Sequence, residues 1–260
     1  MNKSSICLLP LLFIPLSASV SASLTSDKPH FIVGLVSQYA PEYAGSDKYE
    51  IYYAPYFSWR YNSFKIDAAQ GISYLKAFSN GIYVGQSLGY SLGRSDSAAT
   101  WLRDGSDKLK GMGKIKSAMT TTSKFGWWMA QGIRFEGNVI APLTDSQGLQ
   151  YNLKLDVVVF ESHDDTLLFN VQRNYGDARY NNTWYGVEEN QSVLSGFEKY
   201  RAGSGLNNTD YGIDWRHSFS DAWTGYANAH YTVLADRIRK SPLVNKDDFL
   251  TFTLGVSYSF

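Results

Sequence analysis

The chain has 260 residues, with 24 lysines and arginines against 24 aspartates and glutamates and a formal net charge of zero. That balance leaves no basic footprint for nucleic acid. Its one cysteine, Cys7, lies near the start of the chain, which excludes a small secreted domain stapled by disulfides.

The N-terminus reads as a secretory signal peptide. Lys3 supplies the positive n-region, 6–16 the apolar h-region, and 17–22 is rich in small residues. Val20 and Ala22 suit the −3 and −1 positions, so cleavage is expected after Ala22, leaving 23–260 as a single domain. Cys7 falls inside the signal and is followed by more apolar residues, so a lipoprotein signal is not expected. Beyond it no stretch of about 18 apolar residues remains to form a transmembrane helix. Aromatic residues are plentiful, with 7 Trp, 19 Tyr and 14 Phe. Tyrosine dominates, as at membrane–water interfaces.

Downstream the chain alternates with a period of two, the spacing of a strand with two unlike faces. Weaker candidates come first, at 30–40, 49–60 and 63–76, and the first clear strand is 81–93. There Ile82, Val84, Leu88, Tyr90 and Leu92 oppose Gly81, Gly85, Ser87, Gly89 and Ser91. Two weaker segments, 115–124 and 127–140, are separated by an expected turn at 124–126. Clear alternation returns at 149–159, 167–174, 210–219 and 223–233. The last stretch, 250–260, is the cleanest. Leu250, Phe252, Leu254, Val256, Tyr258 and Phe260 alternate with Thr251, Thr253, Gly255, Ser257 and Ser259.

Repeated dyad segments of roughly ten residues predict an all-β transmembrane barrel, antiparallel and up-and-down. Eleven segments are visible and an even number is required. Dividing 63–78 at Gln70–Gly71 gives twelve strands; ten is the alternative. Short turns near 78–81, 124–126, 163–165 and 219–221 are assigned to the periplasm. Longer loops at 94–113, 141–148, 176–205 and 238–247 are assigned to the exterior. The aromatic end, Tyr258 and Phe260, resembles the closing strand of bacterial outer-membrane barrels, whose terminal aromatic is read by the assembly machinery.

The expected lumenal face carries Arg60, Lys65, Asp67, Arg134, Glu136, Lys154, Asp156, Asp214 and Arg216. These charges either line a selective pore or pair across a narrow lumen and fill it; the balance of signs favours filling. The four histidines suggest no catalytic site. His30 opens the first strand, His163 sits in a turn beside Asp164 and Asp165, and His217 lies near a strand end. His230 belongs to the lumenal set. Placing the last hairpin's turn at Ser220 pairs His217 with about Thr224 and His230 with about Tyr211, so the two do not converge. No nucleophile-elbow, zinc-protease or nucleotide-binding pattern is present. The expectation is a non-enzymatic protein with no catalytic, cofactor-binding or metal residues. Loop residues 184–205, with Tyr185, Phe197 and Tyr200, carry enough apolar area to fold back over the barrel mouth.

Short segments in fixed order resemble the MipA/OmpV family, named for the MltA-interacting protein. They are Pro41-Glu42-Tyr43-Ala44-Gly45-Ser46-Asp47, Leu92-Gly93-Arg94, Trp184-Tyr185-Gly186-Val187, Tyr200 with Gly203-Ser204-Gly205-Leu206, Ser241-Pro242-Leu243-Val244, and the terminal Val256-Ser257-Tyr258-Ser259-Phe260. The resemblance implies a Gram-negative outer-membrane protein that scaffolds a lytic transglycosylase and a bifunctional murein synthase. Other members are described as adhesins, porin-like proteins or antibiotic-response proteins. The partners so implied are outer-membrane lipid, the barrel assembly machinery and those periplasmic enzymes.

Overall fold

The computed structural model describes residues 26–98, 104–145 and 147–260. The expected signal peptide, including Cys7 and the cleavage position, lies outside the described residues. Twelve antiparallel strands close into a barrel, each paired to its neighbours in the chain. They are β1 (Ser26–Pro41), β2 (Tyr49–Asn62), β3 (Phe64–Asp67), β4 (Gly71–Ala77), β5 (Ile82–Ser91), β8 (Ala118–Ala130), β9 (Ile133–Pro142), β10 (Gln150–Glu161), β11 (Asp165–Gly176), β12 (Gly205–Ser218), β13 (Trp223–Leu234) and β14 (Asp248–Ser259). Two further strands, β6 (Arg94–Ser95) and β7 (Asp104–Gly105), form a small parallel pair in the β5–β8 loop. The ring closes where β1 pairs with β14, Leu35 opposite Val256. Among the described residues no helix is long and apolar enough to cross a membrane.

Twelve is the count reached by dividing 63–78. Asp67 makes the break: its Oδ1 accepts the backbone N–H of Ala69 (2.8 Å) and Gln70 (2.6 Å). Gly71 then takes a positive φ of 77°, which costs glycine little. The result is a hairpin, β3–β4, much shorter than the others.

The turn expected at 124–126 is not there. β8 runs unbroken through it, and the chain reverses at 131–132. Gly126 serves close packing instead. A Cβ there would lie 1.9 Å from the Tyr83 Cζ. Lys124 is therefore a mid-strand residue and not a turn residue.

The alternation sorts the two faces. On β14 Thr253 is 3% exposed and points inward, whereas Leu254 is 61% exposed. Leu35, Ile51, Leu88, Ile213 and Phe252 join Leu254 in an exposed outer band. In water such a band is costly at about 25 cal/mol per Å² of apolar surface; in a bilayer it is the required surface. At the end carrying the short turns, aromatic rings cluster. Phe260 lies tilted against Phe31 (5.8 Å between ring centres) and edge-on to Tyr258 (4.9 Å), and Tyr258 meets Trp223 (5.1 Å).

Three helices, α1 (Ala178–Tyr185), α2 (Glu189–Ser195) and α3 (Asp236–Arg239), lie in the long loops at the opposite end, the mouth. Asp177 caps α1 by accepting the Tyr180 N–H at 2.7 Å.

Candidate functional site

Cross-strand register decides which lumenal charges meet. On β9 and β10, Arg134 is opposite Asp156 and Glu136 opposite Lys154. Arg134 Nε and Nη2 both donate to Asp156 Oδ2, at 2.8 and 2.6 Å. Lys154 Nζ reaches the other oxygen of Asp156 at 3.2 Å. Glu136 takes Lys124 Nζ at 3.1 Å and the Tyr83 hydroxyl at 2.7 Å. Asn138 donates to Glu136 (3.1 Å) and to Asn152 (2.8 Å). All four of Arg134, Glu136, Lys154 and Asp156 are buried. Lys65 pairs with Asp67 at 2.6 Å nearby.

A second cluster lies across β11 to β13. His230 Nδ1 is 2.6 Å from Asp210 and its Nε2 is 3.3 Å from Asp214. Thr232 donates to Asp210 at 2.7 Å, and Asn170 to Asp214 at 2.5 Å. Carboxylates thus occupy both ring nitrogens of His230, which suits an ion-paired strut. A general base needs one nitrogen directed at a reacting group. Arg60 and Arg216 also lie in the wall, both half-buried. The expected pairing of the last hairpin is one residue off: His217 pairs with Gly225, and His230 with Gly212. His217 hydrogen-bonds Asp165 at 2.8 Å on the outward face, so the two histidines stay apart. His163 is exposed in its turn, 3.8 Å from Asp164, and His30 meets the Ser259 hydroxyl. Among the described residues no group of three or more potential ligands is placed to hold a metal ion.

The mouth is roofed. Tyr43 from the β1–β2 loop, Leu109 and Met112 from the β5–β8 loop, Val187 from the β11–β12 loop and Leu243 from the β13–β14 loop form one buried cluster, with Phe197 and Tyr200 against it. Polar contacts stitch the same loops. The Ser106 hydroxyl donates to Glu42 at 2.5 Å, Gln191 to the Met112 carbonyl at 2.7 Å, and Ser241 to the Tyr185 carbonyl at 2.6 Å. Lys108 pairs with Asp47. Tyr185, Phe197 and Tyr200 were legible as lid residues. Phe197 and Tyr200 pack on Tyr43, Leu109, Met112 and Leu243, and Tyr185 on Ala202, Leu234 and Ile238. Tyr43 and Leu243 lie in the family-like segments, whereas Leu109 and Met112 carry no local signal, being isolated apolar residues in a polar loop.

Burial pushes the Tyr43 phenol up to about 12 against the opposing pull of Arg94, and burial does the same to Tyr185. Both rings are therefore held neutral in the folded lid. A group whose folded value is raised contributes stability that is complete below its unfolded value, about 10 for tyrosine. That contribution is lost as pH rises to about 12. The roof is expected to loosen between those limits, read as increased proteolysis of 177–204 in step with phenolate absorbance. Tyr43→Phe should make that loss shallower.

The chain belongs to the MipA family: the model of the family described as "MltA-interacting protein MipA" matches residues 33–260. No curated protein matches the chain. Solved structures similar to it include one titled "Bacterial polysaccharide outer membrane secretin", at 9% identity and TM-score 0.46, covering 88% of this chain and 97% of that one. A NanC porin is similar at 9% identity and TM-score 0.42, with 89% and 99% covered. The outer membrane channel DcaP of Acinetobacter baumannii is similar at 9% identity and TM-score 0.40, with 94% and 100% covered.

Proposed function

We propose that this chain is a non-enzymatic outer-membrane barrel that docks other proteins, with periplasmic murein-processing enzymes as its partners. The observation that carries the reading is the buried network Arg134–Asp156–Lys154 with Glu136–Lys124, which ties opposite charges together along the lumenal face of the adjacent strands β8, β9 and β10. A pore selective for ions or polar solutes needs charged rings left free to meet them. A lumen braced in this way under a roofed mouth suits a scaffold. The choice of partner follows the family description, which names an MltA-interacting protein. The mature protein is read as one domain, 23–260, exported by the signal at 1–22.

A docked enzyme on the periplasmic side meets the short turns and the aromatic rim around Phe260. Crosslinking in whole cells, followed by capture of this chain through a tag in its loops, is expected to recover a lytic transglycosylase or a murein synthase. Recovery of neither, or equal recovery of the same enzymes by an unrelated barrel, overturns the partner assignment.

Phe260 is read as the end of an assembly signal together with Tyr258. It is 72% exposed, so it buries little on folding. Its deletion is expected to reduce outer-membrane yield in cells while leaving the denaturant midpoint of refolded protein almost unchanged. A normal cellular yield contradicts the signal.

A second reading, surface contact, has its own observation. Val193 and Leu194 on α2 stand 80% and 74% exposed above the mouth. Two large aliphatic side chains offered to solvent suit an adhesive contact. Val193→Ser with Leu194→Ser should reduce host-surface attachment if that reading holds, and should leave capture of periplasmic enzymes intact.

A further inference from the structure

The short β3–β4 hairpin leaves a notch in the barrel wall. β2 pairs with β3 only over Ser58–Tyr61, and β4 pairs with β5 only up to Ile72 opposite Leu88. Above that level, among the described residues, the mouth-side half of β2 has no strand partner on its β5 side. Phe57 gives its carbonyl to the Ala68 N–H at 3.1 Å. By strand alternation Pro55 directs its backbone toward the same open edge, where it has no N–H to leave unpaired. The hydroxyl of outward-facing Tyr90 reaches across the notch to the Ala68 carbonyl.

Behind the notch lies a cavity of about 420 Å³, within the size range of small-ligand sites. Its lining includes lumenal Tyr56 and Lys124, but also Pro55 and Tyr90, which belong to the lipid-facing set. A cavity lined by both faces of a wall opens through it. Lys124 is already paired with Glu136. The remaining charged residue of the lining is Arg94, buried under the roof between the rings of Tyr43 and Trp184. Its Nη1 donates to the Trp184 carbonyl at 2.7 Å. Among the described residues no carboxylate forms an ion pair with it; Asp104, its partner across the β6–β7 pair, bears on it as a nearby charge. Arginine has five N–H donors, so most of this guanidinium's capacity is unspent. A buried cation is costly without an anion, and an open strand edge at membrane depth is tolerated only where it lines a cavity or is covered.

We propose that this cavity binds an anionic single-chain amphiphile taken from the bilayer through the β2–β5 notch, with its carboxylate or phosphate on Arg94 and its chain leaving past Pro55 and Tyr90. The shared chemistry is one anionic head and one apolar tail. Entry from the membrane is distinguished from entry through the mouth by variants at the notch.

The protein in phosphatidylcholine nanodiscs would be titrated with cis-parinaric acid, following energy transfer from tryptophan. The expected result is a saturable one-to-one component above bilayer partitioning, displaced by dodecanoate and not by dodecyltrimethylammonium. Arg94→Gln is expected to weaken that component by about tenfold, a difference of about 1.4 kcal/mol, and Arg94→Lys to retain most of it. Ala69→Trp, at the hairpin tip, should slow association, and Tyr90→Ala should speed it. Each variant is first shown to keep the parent's heat-modifiable gel mobility. Partitioning with no saturable component overturns the proposal, as does displacement by the cation or parental binding in Arg94→Gln. Equal association rates in Ala69→Trp and Tyr90→Ala overturn the lateral route.

Discussion

Replacing Asp156 by alanine is expected to lower the unfolding free energy by about 3–5 kcal/mol, the cost of removing one partner from a buried ion pair. Asp156 holds two cations at once, Arg134 through one oxygen and Lys154 through the other. Its loss leaves two buried cations, Arg134 and Lys154, with Glu136 as the nearby carboxylate to answer them. Replacing Arg134 and Lys154 by methionine together with Asp156 by leucine should recover much of the loss, because all three charges then leave the interior and the volume stays filled. Guanidinium unfolding in lipid vesicles, at constant slope, reads both changes. A shift below about 1 kcal/mol for Asp156→Ala, in the range of exposed ion pairs, would show that the network is solvated and the lumen wet.

Leu254→Arg is expected to cost about 2–4 kcal/mol, the penalty for arginine on the lipid face near the bilayer midplane. Thr253→Arg is a poor control despite its inward direction. Thr253 is almost wholly buried and accepts from Gln38 at 3.2 Å, so an arginine there overfills the interior. Thr251 is the better comparison. It shares the lumenal face, is half-buried, and pairs across to His230 beside two carboxylates. Thr251→Arg should therefore cost well under half as much. Equal losses at 251 and 254 would mean that the two faces of β14 do not differ in solvent.

The strong elements were legible because one face meets lipid and the other does not. The strict alternation from Leu250 to Phe260 carries strand, face and membrane depth together. β8 was misread for an equally physical reason. Thr120, Thr121 and Thr122 in a row blur the alternation, and Gly126 imitates a turn while making room for the Tyr83 ring. The lumenal charges Arg134, Glu136, Lys154 and Asp156 could be assigned to one face by period alone. Which of them pair depends on register, and a slip of one residue reassigns every partner. Lys124 escaped notice because the false turn removed it from the wall. The notch between β2 and β5 had no signature either. It follows from the difference in length between β3–β4 and its neighbours, and strand ends are where alternation fades. The roof was half legible: its aromatic members in 184–205 stand out, and the residues they meet come from loops far away in sequence.

Planar-bilayer recording of the refolded protein tests the central claim most directly, that this is a braced barrel for docking and not a channel. At neutral pH the account predicts no large, stable conductance steps. It predicts that steps emerge when the lumenal network is dismantled by Arg134→Ala, Glu136→Ala, Lys154→Ala and Asp156→Ala together. Large, stable and ion-selective steps from the unaltered protein would contradict it, and would assign the lumen to solute passage.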